Sequence, residues 1–209
     1  MAIVRPQGTP LGGIILIPGS STQQTISESG QPGSQDNFAI RVGRRLVAAG
    51  YAVAYVEDPS NLHAPIAAMR AIIRPVVLLG TSTGTIVELD NAVALGKDGP
   101  DALVFTSTVT VPNAYFTHAV TALQISRLRV PVLFVHNTND QCKFSLLADA
   151  QNVAAADRDA LFEQVTSDPA PAADQCGPRS PHGYLGIEQA VVDRIVDWIA
   201  GHANARADS

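Results

Sequence analysis

The sequence predicts an α/β fold: a three-layer sandwich in which a mostly parallel sheet of about six strands is covered by helices on both faces. Three observations predict it. Short apolar runs alternate along the chain with segments of helical periodicity, the pattern of a parallel sheet with helical crossovers. The 209 residues are 46% hydrophobic and 16% charged, which suits one globular domain with a substantial core. One apolar run passes abruptly into a helical stretch through Gly80-Thr81-Ser82-Thr83-Gly84, a serine at the apex of a glycine-flanked turn.

Taken in order, residues 12–17 form a short apolar run closed by Pro18-Gly19, and read as a buried strand. Residues 20–35 are rich in Ser, Gln and Gly without periodicity and read as a long loop, a length uncommon unless functional. A helix is expected over 37–49, with Asp36 as N-cap and Gly50 past its end. A strand follows at 51–56. A short helix over 64–73 has Pro65 in its first turn and Pro75 beyond its end. Residues 76–79 are the strand that enters the serine turn, and 85–95 the helix that leaves it. Residues 102–106 are a strand, and 107–129 an irregular segment with one short helix near 114–123. A strand at 130–135, a helix at 145–155 and a strand at 160–165 follow. After the loop 166–181, Ile187, Val191, Ile195 and Ile199 mark one apolar face of a helix over 187–200. Residues 1–11 and 202–209 are expected to be peripheral tails.

The charge balance removes some functions. A net charge of -5 and a pI near 5.4 argue against a nucleic-acid partner. Arg41, Arg44 and Arg45 lie close together, but on a mixed helix where a solvated face is the simpler reading. No apolar run approaches the roughly 18 residues of a membrane span. No apolar segment of a signal peptide opens the sequence.

The glycine-flanked serine turn is the arrangement of a nucleophile elbow, in which a strained turn lifts a serine hydroxyl clear of the sheet. The five residues alone also suit a plain glycine-rich turn, so the chemistry needs partners. A serine hydroxyl needs a base, and the base needs an acid to hold its tautomer. On such a sheet they follow in the order Ser, Asp or Glu, His, each just after a strand. His63 precedes Ser82, His118 flanks an uncertain loop, His136 precedes the best acid, and His202 lies past the last helix. His182, in a loop before the final helix, fits the base by order and place. Asp140, in the loop after the 130–135 strand, is the first choice of acid, with Asp168 and Asp174 in reserve. The N–H of Thr83, at a helix N-terminus, and the N–H of Ser20, with Ser21 second, are the expected oxyanion donors.

Cys142 lies two residues after Asp140, and Cys176 six before His182. If the triad loops meet, a disulfide between these two cysteines is geometrically natural and would pin the acid against the base. Two buried free thiols, or a metal pair with His136 or His182, are the alternatives. Without close CxxC spacing a zinc site is disfavoured. A disulfide would suggest an oxidising compartment, so export is the expectation, with a leader absent from this sequence.

With these residues in place the sequence resembles the α/β-hydrolase superfamily. It is most similar to small bacterial members with a Gly-Thr-Ser-x-Gly elbow, a strand like Leu103-Val-Phe-Thr-Ser-Thr108, a loop like the one from His136 to Cys142, and Pro181-His-Gly-Tyr-Leu-Gly-Ile-Glu188. The likeness runs from about Gly12 to the final helix. It implies Ser82 as nucleophile, Asp140 as acid, His182 as base, and Thr83 and Ser20 as oxyanion donors. Two departures from the family are expected: the few residues before Gly12 leave out the first antiparallel hairpin of larger members, giving a minimal α/β-hydrolase sheet of about six strands, and the short segment after the 102–106 strand leaves out a cap domain. The expected activity is carboxylic ester hydrolysis on a small or polymeric substrate, without metal or organic cofactor. The open polar rim is expected to come from loops 20–35 and 108–128. Thioester, amide or peptide cleavage and acyl transfer use the same residues. Two rivals from other classes are a nucleotide-binding module, which lacks P-loop and dinucleotide glycine spacings, and a non-catalytic hydrolase-fold binding protein.

Overall fold

The computed structural model describes residues 1–168 and 174–202. Seven strands form one sheet in the order β1-β3-β2-β4-β5-β6-β7. They are β1 Ala2–Val4, β2 Gly13–Ile17, β3 Ala52–Tyr55, β4 Val76–Thr81, β5 Ala102–Thr106, β6 Val132–Asn137 and β7 Leu161–Val165. All neighbours are parallel except β1, which pairs antiparallel with β3 through Ile3 and Ala54. The six parallel strands are those expected. The seventh comes from residues assigned to a tail: three residues are too short to show a strand period, and β1 gains its stability from pairing with β3.

The central strands are apolar along their whole length because helices cover both faces. Every residue of β2, β3, β4, β5 and β6 is buried. On one face Ile15, Ile17, Leu78, Phe105 and Phe134 pack with Ile66 and Met69 of α3 (His63–Arg70), Ile86 and Leu89 of α4 (Gly84–Leu95), and Val153 of α6 (Leu147–Ala154). On the other, Ile14, Leu16, Leu79, Val104 and Val135 meet Phe38, Leu46 and the apolar stripe Val191, Ile195 and Ile199. That stripe lies on α7, Glu188–His202, as the four-residue spacing predicts.

Three expectations shift. The helix expected over 37–49 is two short ones, α1 Phe38–Arg41 and α2 Gly43–Ala48, joined at Val42. Its cap is Asn37, not Asp36: Asn37 is extended, and its Oδ1 accepts the Ala39 N–H at 3.1 Å. The short helix near 114–123 is α5, Ala122–Ile125, displaced because Thr121 is its cap while Asn113 Oδ1 accepts the Tyr115 and Phe116 N–H groups in a turn. Among the described residues no helix is long and apolar enough to cross a membrane.

The strand order places the site. After β2 the chain adds β3 on one side, then returns to add β4 on the other. The loops leaving β2 and β4 therefore part at the switch point, where open α/β sheets bind ligands. Ile17 is in register with Gly80, so the chain after Ile17 and the turn after Thr81 leave the same edge side by side.

Candidate active site

Ser82 sits between β4 and α4 with φ +57°, a left-handed conformation unusual for a residue with a Cβ. Such strain persists only where surrounding contacts hold it. The Ser82 N–H donates to Thr106 O (3.0 Å), and the Ser82 carbonyl accepts from Thr85 N and Thr85 Oγ1 (2.9 and 2.7 Å). Gly84 makes the turn possible, since a Cβ there would lie 2.5 Å from Ile17 O. Beneath the turn, the buried Glu88 of α4 accepts the N–H groups of Gly80 (2.9 Å) and Val104 (2.8 Å), tying α4 to β4 and β5. Burial pushes the Glu88 carboxyl well above the usual range, and the two N–H groups pull it back.

The chain leaving β2 packs against this turn. Thr83 Oγ1 donates to Ser20 O at 2.7 Å. The N–H groups of Ser20 and Thr83 donate to no acceptor among the described residues. Ser20 itself has φ +62°, and Thr83 precedes the first residue of α4, so its N–H sits in the positive field of that helix start.

His182 lies in a 3-10 turn, Pro181–Gly183, and is buried. Its Nδ1 is 2.8 Å from Asp140 Oδ2. A carboxylate oxygen accepts, so Nδ1 carries the proton and Nε2 keeps its lone pair. Nε2 is buried without a hydrogen-bond partner among the described residues. Ser82 and His182 line one cleft of about 510 Å³ together with Gly19 and Ser20. The Asp140 carboxylate is used fully: Oδ1 accepts the Cys142 N–H at 2.8 Å. Cys142 is disulfide-bonded to Cys176, with Cα atoms 4.6 Å apart, and both free-thiol and metal readings of the pair are thereby replaced. No group of three His, Cys, Asp or Glu side chains among the described residues is arranged to hold a metal ion.

The remaining histidines and acids stand elsewhere. His63 is exposed at the start of α3. His118 pairs with Asp90 (2.9 Å), and His202 stacks on Trp198. Asp174 accepts the Cys176 N–H, and Asp168 is exposed. His136 lies inside β6 rather than at its end, 3.7 Å from Asp140 Oδ2, with Nε2 donating to Ser145 O (3.1 Å). Burial holds its pKa below the ordinary histidine value, against the pull of Asp140.

Several residues that fix this geometry escape sequence reasoning. Ser107 Oγ donates to His182 O (2.7 Å), and Asn137 Nδ2 donates to Pro181 O (2.9 Å), so the ends of β5 and β6 grip the histidine turn from below. Tyr184 Oη donates to Val135 O (2.6 Å) and accepts the Ser107 N–H (2.8 Å). Arg41 is not part of a solvated face: it is mostly covered, pairs with Glu188 (3.0 Å), and donates to Gly183 O (2.6 Å). Its position on an arginine-rich helix hid this. The one available signal was the i,i+3 spacing of Phe38 and Arg41, with Phe38 fully buried against Tyr184. The 108–128 segment does not line the cleft, since Val109, Val120, Ile125 and Leu128 are drawn into the core instead. Residues 176–183 take its place.

Comparisons with solved structures match this architecture over nearly the whole chain. A dienelactone hydrolase from Anabaena variabilis is 15% identical, with TM-score 0.60, covering 96% of this chain and 90% of that one. The fold is that of the α/β-hydrolases. A sugar hydrolase from Lactococcus lactis is similar at 14% identity, TM-score 0.64 and 95% and 92% coverage of the two chains. A thermostable carboxyl esterase from Bacillus coagulans is similar at 11% identity, TM-score 0.60 and 96% and 93% coverage. No protein-family model matches the sequence, and no curated protein matches it. Among the described residues no large cap covers the cleft.

Proposed function

We propose that this chain is a serine hydrolase that cleaves carboxylic esters through Ser82, His182 and Asp140. One observation carries the reading. A strained serine on a strand-to-helix turn shares a cleft with a histidine whose Nδ1 is bonded to a buried aspartate and whose Nε2 is unpartnered. The α/β-hydrolase fold shared with solved structures that include several esterases supports it.

In the proposed reaction Ser82 Oγ attacks the acyl carbon as His182 Nε2 takes its proton, and Asp140 holds the ring and its developing positive charge. In structures without substrate such nucleophile-to-base contacts are often long and tighten in the complex. The N–H groups of Ser20 and Thr83 stabilise the oxyanion. His182 returns the proton to the leaving alcohol. Water, activated by the same nitrogen, then attacks the acyl-enzyme, releasing the acid and restoring Ser82. The Cys142–Cys176 bridge is consistent with action in an oxidising compartment, and export belongs to the proposal.

The test is turnover of nitrophenyl acetate by wild type and Ser82→Ala. A fall in kcat on the order of 10⁴ or more is expected in the variant. Comparable turnover in both would remove Ser82 from the reaction.

A further inference from the structure

The wall of the cleft specifies a substrate, and the inference rests on the hydrolase reading above. We infer that the site takes a short-acyl ester of a neutral, polyhydroxylated alcohol, such as an O-acetylated sugar or polyol.

The loop between β2 and α1 supplies most of the lining, and its side chains there are hydroxyls and amides. Ser20, Ser21, Gln23, Ser34 and Gln35 all line the cleft, and none of their side chains bonds a protein partner among the described residues. Four of the five are exposed. Each hydroxyl both donates and accepts, and each amide offers two N–H groups and one oxygen. Such a wall matches a ligand that presents donors and acceptors in equal measure, which is what a ring of hydroxyls does.

Charge narrows the class. Among the described residues Asp36 is the only ionisable lining side chain apart from His182, and its carboxylate meets Arg179 at 3.2 Å. Among the described residues no lysine or arginine lines the cleft, and Arg179 beside it is already paired with Asp36, so no free cation is offered to a carboxylate or phosphate on the substrate.

Hydrophobicity limits the acyl group. A long chain is favoured only where each methylene leaves water for an apolar wall. Phe38 is the one Phe, Tyr or Trp lining the cleft among the described residues, and its side chain is fully buried against Tyr184, so its ring is turned to the core rather than to the cleft. Among the described residues no leucine, isoleucine, valine or methionine lines the space. A chain beyond a few carbons would therefore remain in water and gain nothing.

The overall conversion is ordinary hydrolysis: the acyl C–O bond breaks, water supplies the oxygen of the released acid, and the alcohol departs with a proton.

The experiment compares two acetates of matched ring size, mono-O-acetylated methyl xyloside and cyclohexyl acetate, by acetate release, alongside nitrophenyl acetate and nitrophenyl octanoate. Wild type is expected to favour the sugar ester by about tenfold or more in kcat/KM, the equivalent of one or two net hydrogen bonds. It is also expected to cleave the octanoate no faster than the acetate. In Gln23→Leu/Gln35→Leu, two exposed positions without protein partners, the sugar-to-cyclohexyl ratio should fall by about tenfold. Equal rates on the two ring acetates, a rate rising with acyl length, or an unchanged ratio in the double variant would each overturn the inference while nitrophenyl acetate turnover leaves the hydrolase reading standing. Failure to cleave any of the four esters would overturn both.

Discussion

Asp140 is shared by two histidines, and the two are held for different ends. His182 takes its Oδ2 at 2.8 Å, while His136 lies 3.7 Å from the same atom and is anchored by the Ser145 carbonyl. Buried at 1% exposure, His136 is kept neutral because desolvation outweighs the attraction of the carboxylate. A histidine whose folded pKa is lowered contributes stability above its unfolded value, near 6.5, and loses that contribution as pH falls through the folded value. The protein should therefore lose stability between pH 7 and 5, in part through His136. In His136→Asn the drop in unfolding free energy over that interval, measured by denaturant titration, is expected to be smaller than in wild type. An equal drop would remove His136 as its source. Sequence order set His136 aside as a base, but it carried no sign that β6 runs on to Asn137 and delivers this second ring to Asp140.

At the scale of elements, the histidine turn is positioned by groups that come from far along the chain. Arg41 of α1 reaches Glu188 at the start of α7 and the Gly183 carbonyl beside His182. Ser107 and Asn137, each just past or at the end of its strand, hold the His182 and Pro181 carbonyls. Arg41→Ala removes charge-assisted bonds at a side chain only 20% exposed, and is expected to cost about 2 kcal/mol, a fall in Tm of about 4–8 °C for a chain of this size. It should also lower kcat for nitrophenyl acetate more than it raises KM, because the turn that carries the proposed base would be less firmly placed. A variant with wild-type Tm and kcat would show the clasp to be idle. The strands β2 to β6 were legible because buried parallel strands are written as continuous apolar runs, and the turn at Ser82 was legible because it needs glycines. The clasp was not: an arginine bonded to distant carbonyls leaves the same sequence trace as one in water. Nor was the break at Val42 or the three-residue β1, since neither has a period long enough to read.

At the scale of the whole molecule, the Cys142–Cys176 bridge joins the loop of Asp140 to the loop that leads to His182 across a separation of 34 residues. Closing a loop of that length contributes roughly 3–4 kcal/mol in the chain-entropy view. Cys142→Ala/Cys176→Ala, or reduction of wild type, should lower unfolding free energy by about that amount and reduce ester turnover. A reduced protein with unchanged stability and rate would deny the bridge both roles. The six parallel strands, the disulfide and the three residues proposed as a triad all follow from one arrangement: functional loops leave the carboxyl edge of the sheet, where β2 and β4 part. The depth and polarity of the cleft were less legible, because they depend on how residues 20–38 fold back over the edge, and a loop without periodicity does not declare its path. The account turns on Ser82 as the activated nucleophile. Its most direct test is fluorophosphonate labelling of the native protein, with the adduct mapped by peptide mass spectrometry. The expected result is a single adduct on Ser82, absent from Ser82→Ala and strongly slowed in His182→Ala. Absence of any adduct, or one on another residue that persists in Ser82→Ala, would contradict it.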